Sequence, residues 1–319
     1  MSVTIEIPTR GGARVDPAQH AYTSDFSGLI ARVRDAGLLA RRRGYYGWLI
    51  AGLSVGLIAT GTAMFFVGAS WWQIALAPIL AIILTQFAFL GHEMAHKQVF
   101  ESGSTNDRVG RLMANLVVGI SYSWWMNKHS RHHANPNTVG KDPDIESDVI
   151  VFQPDQAQRA RGLQKFIAKR QGWLFFPLLT LEGINLHVQG FKKAFSPKGF
   201  DGRATEITML IIRHTALFGL VFLLMPWSIA LVFLATQLAV FGLYMGMSFA
   251  PNHKGMPQIP REMRVDFLRR QVLTSRNIRG GPMMDAFMGG LNYQVEHHLF
   301  PNMPRPSLAR AAQMVREYC

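Results

Sequence analysis

Charge is what this 319-residue chain is shortest of. Asp, Glu, Lys and Arg make up 17% of it, against about 25% in ordinary soluble domains, and the deficit is concentrated. From Gly44 to Gly91 run 48 residues without an Asp, Glu, Lys, Arg or His, and from Thr215 to Asn252 run another 38. Water cannot solvate such stretches, whereas a bilayer core about 30 Å thick accepts roughly 20 apolar residues per helix. An ordinary soluble enzyme and a disordered chain are excluded. Cysteine is nearly absent: Cys319, the last residue, is the only one, so there is no intrachain disulfide and no thiolate metal cluster. Sustained strand-like alternation, solenoid repeats and low-complexity tracts are missing as well, which leaves an all-α outline. Residues 1–44 are polar with no apolar core, which is not the pattern of a secretory signal.

Each charge-free stretch is long enough for two spans and a tight turn. The expected spans are about 47–67 and 72–91, parted by Gly68-Ala69-Ser70, and about 208–225 and 228–250, parted at Pro226-Trp227. Seven of the Lys and Arg residues precede the first span, 15 lie in the middle segment and 10 follow the last span. The two short turns hold none, and Arg213 sits near the start of the third span, from which it can snorkel. By the positive-inside rule the N-terminal segment, the middle segment and the C-terminal segment all face the cytoplasm. The net charge of +13 then needs no nucleic-acid partner. The expectation is an integral multi-pass protein of the cell membrane, with a cytoplasmic helical cap made of residues 93–207 and 251–319. Within the cap, Val109–Asn127 and Trp173–Val188 read as helices, broken around 135–144 and 196–202.

Eight of the eleven histidines fall in or beside four tight groups: His92 and His96; His129, His132 and His133; His253 after Asn252; and His297 and His298 after Gln294. Spacings of three and four residues stack side chains on one face of a helix, and the topology puts all four groups at the cytoplasmic end of the bundle. Imidazole ligates Fe, Zn, Cu and Ni, so ligand type does not select the metal. Number is more informative, because eight imidazoles exceed one tetrahedral site and suit two metals with open positions.

His92–His96, His129–His133 and Gln294–His298 resemble the three histidine boxes of the membrane fatty acid desaturase superfamily. The run Leu291–Pro301, containing Gln294-Val295-Glu296-His297-His298, is similar to the third box of front-end acyl desaturases. The resemblance implies a desaturase domain over 45–319 behind the N-terminal segment 1–44. It implies two iron ions held by His92, His96, His129, His132, His133, His253, His297 and His298. It also implies O2 as co-substrate and a double bond introduced into a long acyl chain carried on CoA, a lipid or acyl carrier protein. Gln294, Asn252 and Glu93 are then expected just behind the ligands, with Glu93 hydrogen-bonding a ligand imidazole. The His-Pro-Gly-Gly haem motif of fused cytochrome b5 and the G-x-G-x-x-G fingerprint do not occur, so electrons are expected from an external donor, such as ferredoxin or cytochrome b5 with its reductase.

Rival readings remain. A di-iron hydroxylase or epoxidase of the same superfamily shares the first box. His92-Glu93-Met94-Ala95-His96 also fits H-E-x-x-H, the zinc protease motif with Glu as base, although that leaves six clustered histidines idle. A metal transporter would need polar groups at mid-membrane depth, which the spans lack. His187 and His214 read as structural or interfacial. Trp124-Trp125 reads equally as an acyl-tunnel wall or an interface anchor, and Asp142-Pro143-Asp144 as a turn. Lys128, Arg131 and Lys192-Lys193 suit a phosphate headgroup, an acidic donor protein or anionic lipid.

Overall fold

The computed structural model describes residues 25–146 and 149–319, so the expected N-terminal segment 1–44 lies outside the described residues up to residue 24. The described residues are helical, with one isolated bridge between Thr138 and Ile259 and no strand. Four helices are long and apolar enough to cross a membrane: α2 (Arg43–Val67), α3 (Gln73–Ala95), α9 (Arg203–Leu224) and α10 (Trp227–His253), the last two following α4 to α8 in the chain. They are preceded by α1 (Asp25–Asp35). The expected span 47–67 lies inside α2, and 72–91 begins one residue before α3. The other two expected spans, 208–225 and 228–250, coincide with α9 to within one residue at its end and lie inside α10.

At 1.5 Å per residue these helices run about 33–40 Å, more than a core of about 30 Å requires. The surplus lies at one end. α3 continues past the expected limit to Ala95 and α10 to His253, so that His92 and His253 ride on rigid helix rather than on loop. α3 and α10 pack on each other at the centre, with half of each apolar window buried, while α2 and α9 flank them with 11% buried. The flanking faces are what lipid requires: Trp48, Phe66 and Leu223 are each at least 80% exposed. The α2–α3 turn is closed by Gln73, whose Nε2 donates to the carbonyls of Met64 and Gly68 at 2.7 and 2.9 Å, adding a second donor to carbonyls that each already accept a backbone N–H.

The cap begins with α4 (Gly103–Arg111), whose N-terminus is capped by Ser102 accepting from Thr105 N. A π-helical segment (Leu112–Val118) follows, then α5 (Tyr122–Ala134). The helix expected over Val109–Asn127 is therefore two helices meeting at residues 119–121. Gly119 adopts φ 95°, and Ser121 caps α5 by accepting from Trp124 N at 3.1 Å. The helix expected over Trp173–Val188 is likewise divided, into α7 (Gly162–Leu179) and α8 (Glu182–Ala194), after the short α6 (Pro154–Arg159). Thr180 Oγ1 donates to Pro177 O at 2.6 Å and Leu181 N to Leu178 O at 3.0 Å, a tightening that ends α7.

The C-terminal segment contributes α11 (Phe267–Thr274), α12 (Gly281–Phe287), α13 (Gln294–Leu299) and α14 (Leu308–Tyr318). α13 is too short to persist alone. It is held by a second apolar core in which Leu29 and Val33 of α1 meet Leu268, Phe300, Leu308 and Val315. Phe26 sets its edge against Phe267 at 4.8 Å and stacks on Phe300 at 5.6 Å.

α8 and α10 approach closely through two glycines. A Cβ on Gly183 would stand 2.2 Å from Leu238 O, and one on Gly242 would stand 2.3 Å from Gly183 N. Gly183→Ala is expected to force these backbones apart and cost about 1–3 kcal/mol, read as an earlier thermal transition of the detergent-solubilised protein. Gly61→Ala, where nothing lies within 4 Å, should leave that transition in place.

Candidate metal centre

The two imidazoles of α3 and the three of α5 are brought together by helix geometry and then completed from elsewhere in the chain. His92, His96, His129, His133 and His297 form one group, and His132, His253 and His298 a second; within each, the ligating atoms lie within 4.8 Å of one another. His129 and His133 share a face of α5 and enter the first group, while His132, a residue away, turns to the second. His297 and His298 divide in the same way, their rings at 84°. The groups touch where His133 and His298 stack at 4.1 Å and 9°. All eight expected positions converge. His187 and His214 lie in neither group and pair with each other at 5.3 Å.

The second group shows what its nitrogens need. His253 Nδ1 lies 2.9 Å from the Thr274 carbonyl, and His298 Nδ1 lies 2.9 Å from Gln271 Oε1. Gln271 spends its Nε2 on His133 O, which leaves Oε1 as the acceptor. His132 Nδ1 lies 3.0 Å from both oxygens of Asp142. Each outer partner is an acceptor, so the network assigns the ring proton to Nδ1 and leaves a bare Nε2 lone pair. The three lone pairs face one another: His132 Nε2 and His253 Nε2 are 3.3 Å apart, and His298 Nε2 is buried without a hydrogen-bond partner. A cation would satisfy all three nitrogens, of which only His253 Nε2 has a donor nearby, the Gln294 amide at 2.9 Å. In the first group, His129 Nε2 stands 3.1 Å from His92 Nε2 and 2.8 Å from His96 Nε2, and His297 Nε2 stands 3.1 Å from His133 Nε2. The donor set fits two imidazole-bound metals.

Burial sets the protonation. It holds the imidazoles of His129, His133, His297 and His298 well below their ordinary range, helped by the neighbouring histidines. Burial and then Lys97 push His96 down to about 3. These rings are neutral at neutral pH, the ligating form. His132 goes the other way, because Asp144 and Asp142 outweigh the downward pull of its burial. Asp144 itself is held low, against burial, by Lys128 at 2.6 Å and by His132.

Residues behind the imidazoles differ in part from expectation. Gln294 Nε2 lies 2.9 Å from His253 Nε2, while its Oε1 accepts from Asn252 Nδ2 at 3.0 Å, so Asn252 touches Gln294 and no ring. Glu93 contacts no imidazole. Both of its oxygens are taken by Arg305, at 2.7 and 2.9 Å, and Tyr46 OH donates to it at 3.4 Å. A carboxylate so engaged cannot serve as the base of a zinc protease. Asp142 forms the expected turn, accepting from Asn137 N and Asp144 N, and also holds His132, a role the turn motif did not announce. Gln271 and Thr274 are silent in the sequence, since a polar residue about 25 positions before the third box carries no spacing signal.

Beneath the first group lies a cavity of ≈ 40 Å³. Its walls include Gly91, His92, Val118, Tyr122, Trp125 and Phe249, so it is apolar apart from the imidazole. Trp125 forms part of this wall and stacks on His129 at 4.2 Å and 22°, while Trp124 is partly buried and packs against the central core.

The Glu93–Arg305 pair ties the end of α3 to the C-terminal segment, with side chains only 3% and 7% exposed. Glu93→Ala is expected to strand the guanidinium and cost about 3–5 kcal/mol. Glu93→Met with Arg305→Met should recover most of that loss, and thermal unfolding of the single and double variants makes the comparison.

A family model described as fatty acid desaturase matches residues 69–319. The delta(6)-fatty-acid desaturase fat-3 of Caenorhabditis elegans is 31% identical over 313 residues, covering 92% of this chain and 68% of that protein. The delta(8)-fatty-acid desaturase 2 of Arabidopsis thaliana is 28% identical over 313 residues, covering 92% and 68%. The acyl-lipid (9-3)-desaturase of Physcomitrium patens is 30% identical over 259 residues, covering 77% of this chain and 48% of the relative. With its four apolar helices and clustered imidazoles, the chain belongs to the fatty acid desaturase family, as a membrane oxidoreductase that acts on fatty acyl chains.

Proposed function

We propose that the two imidazole groups hold two iron ions and that the enzyme uses O2 and two electrons to place a carbon–carbon double bond in a long acyl chain. The observation behind this reading is the convergence of eight imidazoles, with His298 Nε2 buried and unpartnered and His92 in the wall of an apolar cavity. His92, His96, His129, His133 and His297 hold one iron, and His132, His253 and His298 the other, with Gln294 behind them in contact with His253 or acting through water. The iron pair supplies the oxygen activation that no side chain provides. The protein supplies position. Every methylene of an acyl chain is chemically alike, so selectivity comes from which pair the cavity presents, and Trp125 and Phe249 keep water from that place. Asp142, Thr274 and Gln271 fix the tautomer and ring angle of their histidines. The charge census supports a cytoplasmic centre in the cell membrane. Electrons reach it from a donor protein such as ferredoxin or cytochrome b5 with its reductase.

Metal analysis of purified protein, together with acyl-chain analysis of expressing cells, tests the reading. Two irons per chain and a new double bond are expected, and His132→Ala should lose both. An oxygenated chain would favour the hydroxylase reading, and an active, iron-free His132→Ala would refute the ligand assignment. Asp142→Asn is expected to fold but to hold the second iron about 10–100-fold more weakly, measured by chelator competition.

A further inference from the structure

Among the described residues two non-glycines hold a positive φ, Asn137 at 49° and Lys97 at 59°. Asparagine tolerates this region, because its short amide can bond the nearby backbone. Lysine has no such bond to offer, and the place it occupies is one that glycine usually fills. α3 ends there in a Schellman motif, with Gln98 N donating to Glu93 O at 3.0 Å and Lys97 N to Met94 O at 2.9 Å. Backbone strain one residue after His96 has to be offset by what the lysine side chain holds.

The ammonium pairs with Oδ1 of Asp107 on α4. The same oxygen accepts from Tyr122 OH at 2.8 Å. One turn on from Asp107, Gly110 lets the Tyr122 ring approach α4, since a Cβ there would stand 3.1 Å from Tyr122 Cε2. The buried ring forms part of the cavity wall that includes His92, while Lys97 and Asp107 lie outside that wall. α5 itself is held separately: Glu206 of α9 accepts from Ser123 N at 3.3 Å and from Ser123 Oγ at 2.9 Å. Releasing the tyrosine hydroxyl would therefore free a ring and leave in place the helix that bears His129, His132 and His133.

We propose that Lys97, through Asp107, positions the Tyr122 ring, and that this ring sets which methylene pair of the acyl chain stands beside His92. Lys97 and Asp107 are positioning residues, and Tyr122 determines specificity. The second half rests on the acyl desaturase reading; the first half does not.

A fluorine reporter, meta-fluorotyrosine at position 122 of the full-length protein in detergent, reads the ring without turnover. Lys97→Gly removes the ammonium and suits the backbone, so the fluorine resonance should shift while the thermal transition stays or rises. Lys97→Arg, which keeps the charge, should give the original resonance. An unshifted resonance in Lys97→Gly overturns the clamp, and so does an equal shift in Lys97→Arg. A lower transition in Lys97→Gly marks a merely structural lysine and overturns it too. Product position reads the second half, by mass spectrometry of derivatised acyl chains from cells expressing Lys97→Gly or Tyr122→Phe. Both variants should spread the double bond to the adjacent position, the preference falling about tenfold. A wild-type preference kept by both variants overturns the specificity role. If the wild-type protein forms no double bond, the acyl reading fails and that role with it, while the fluorine result still decides the clamp.

Discussion

Three imidazole nitrogens turned toward one another in a buried pocket are the constraint on which the rest of this structure depends. Imidazoles left to themselves would rotate, exchange protons or seek water. Here Thr274, Gln271 and Asp142 each hold a ring from behind, and burial suppresses protonation of the remaining rings outside the spans. The surplus length of α3 and α10 lets the membrane helices act as rigid arms, while α5 deals its three histidines to both groups. Every larger feature serves that local requirement, from the overlong helices to the second apolar core behind α13.

The clamp between Glu93 and Arg305 does for the domain what the outer hydrogen bonds do for the rings. Gln98 reaches Pro301 O at 2.8 Å and Tyr46 OH accepts from Arg305 N at 3.2 Å, so α2, α3 and the C-terminal segment are joined at one buried point. A charge pair in such a place is weak as a source of stability. It is strong as a register device, because only one docking of the C-terminal segment lets the guanidinium meet both carboxylate oxygens. That docking is also the one that brings His297 to His92, with ring centroids 4.7 Å apart.

Much of this was legible in the sequence. Two charge-free runs account for four long helices, and the spacing of the histidines, with their place at the span ends, was enough to bring eight of them to one centre. Glu93 was misplaced for a reason helical geometry explains: one residue beyond His92, it lies about 100° around the helix, whereas His96 at i+4 returns to the same face. The breaks at 119–121 and at Thr180-Leu181 carried local signals, a glycine followed by a capping serine and a proline close to a threonine, that were outweighed by the apolar pattern around them. Asp142, Gln271 and Thr274 were illegible as partners of histidines because their roles exist only after distant segments have packed.

Residues 92 and 298 are separated by most of the chain, and the segment bearing His297 and His298 follows every other histidine of the centre. During synthesis the first two boxes and His253 stand ready at the membrane surface well before their complement exists. Closure waits for a few dozen C-terminal residues to fold back onto α1 and the end of α3, a long-range step with no local shortcut. The centre is thus completed only by that long-range closure, and a chain lacking it would display open imidazoles rather than half a working site.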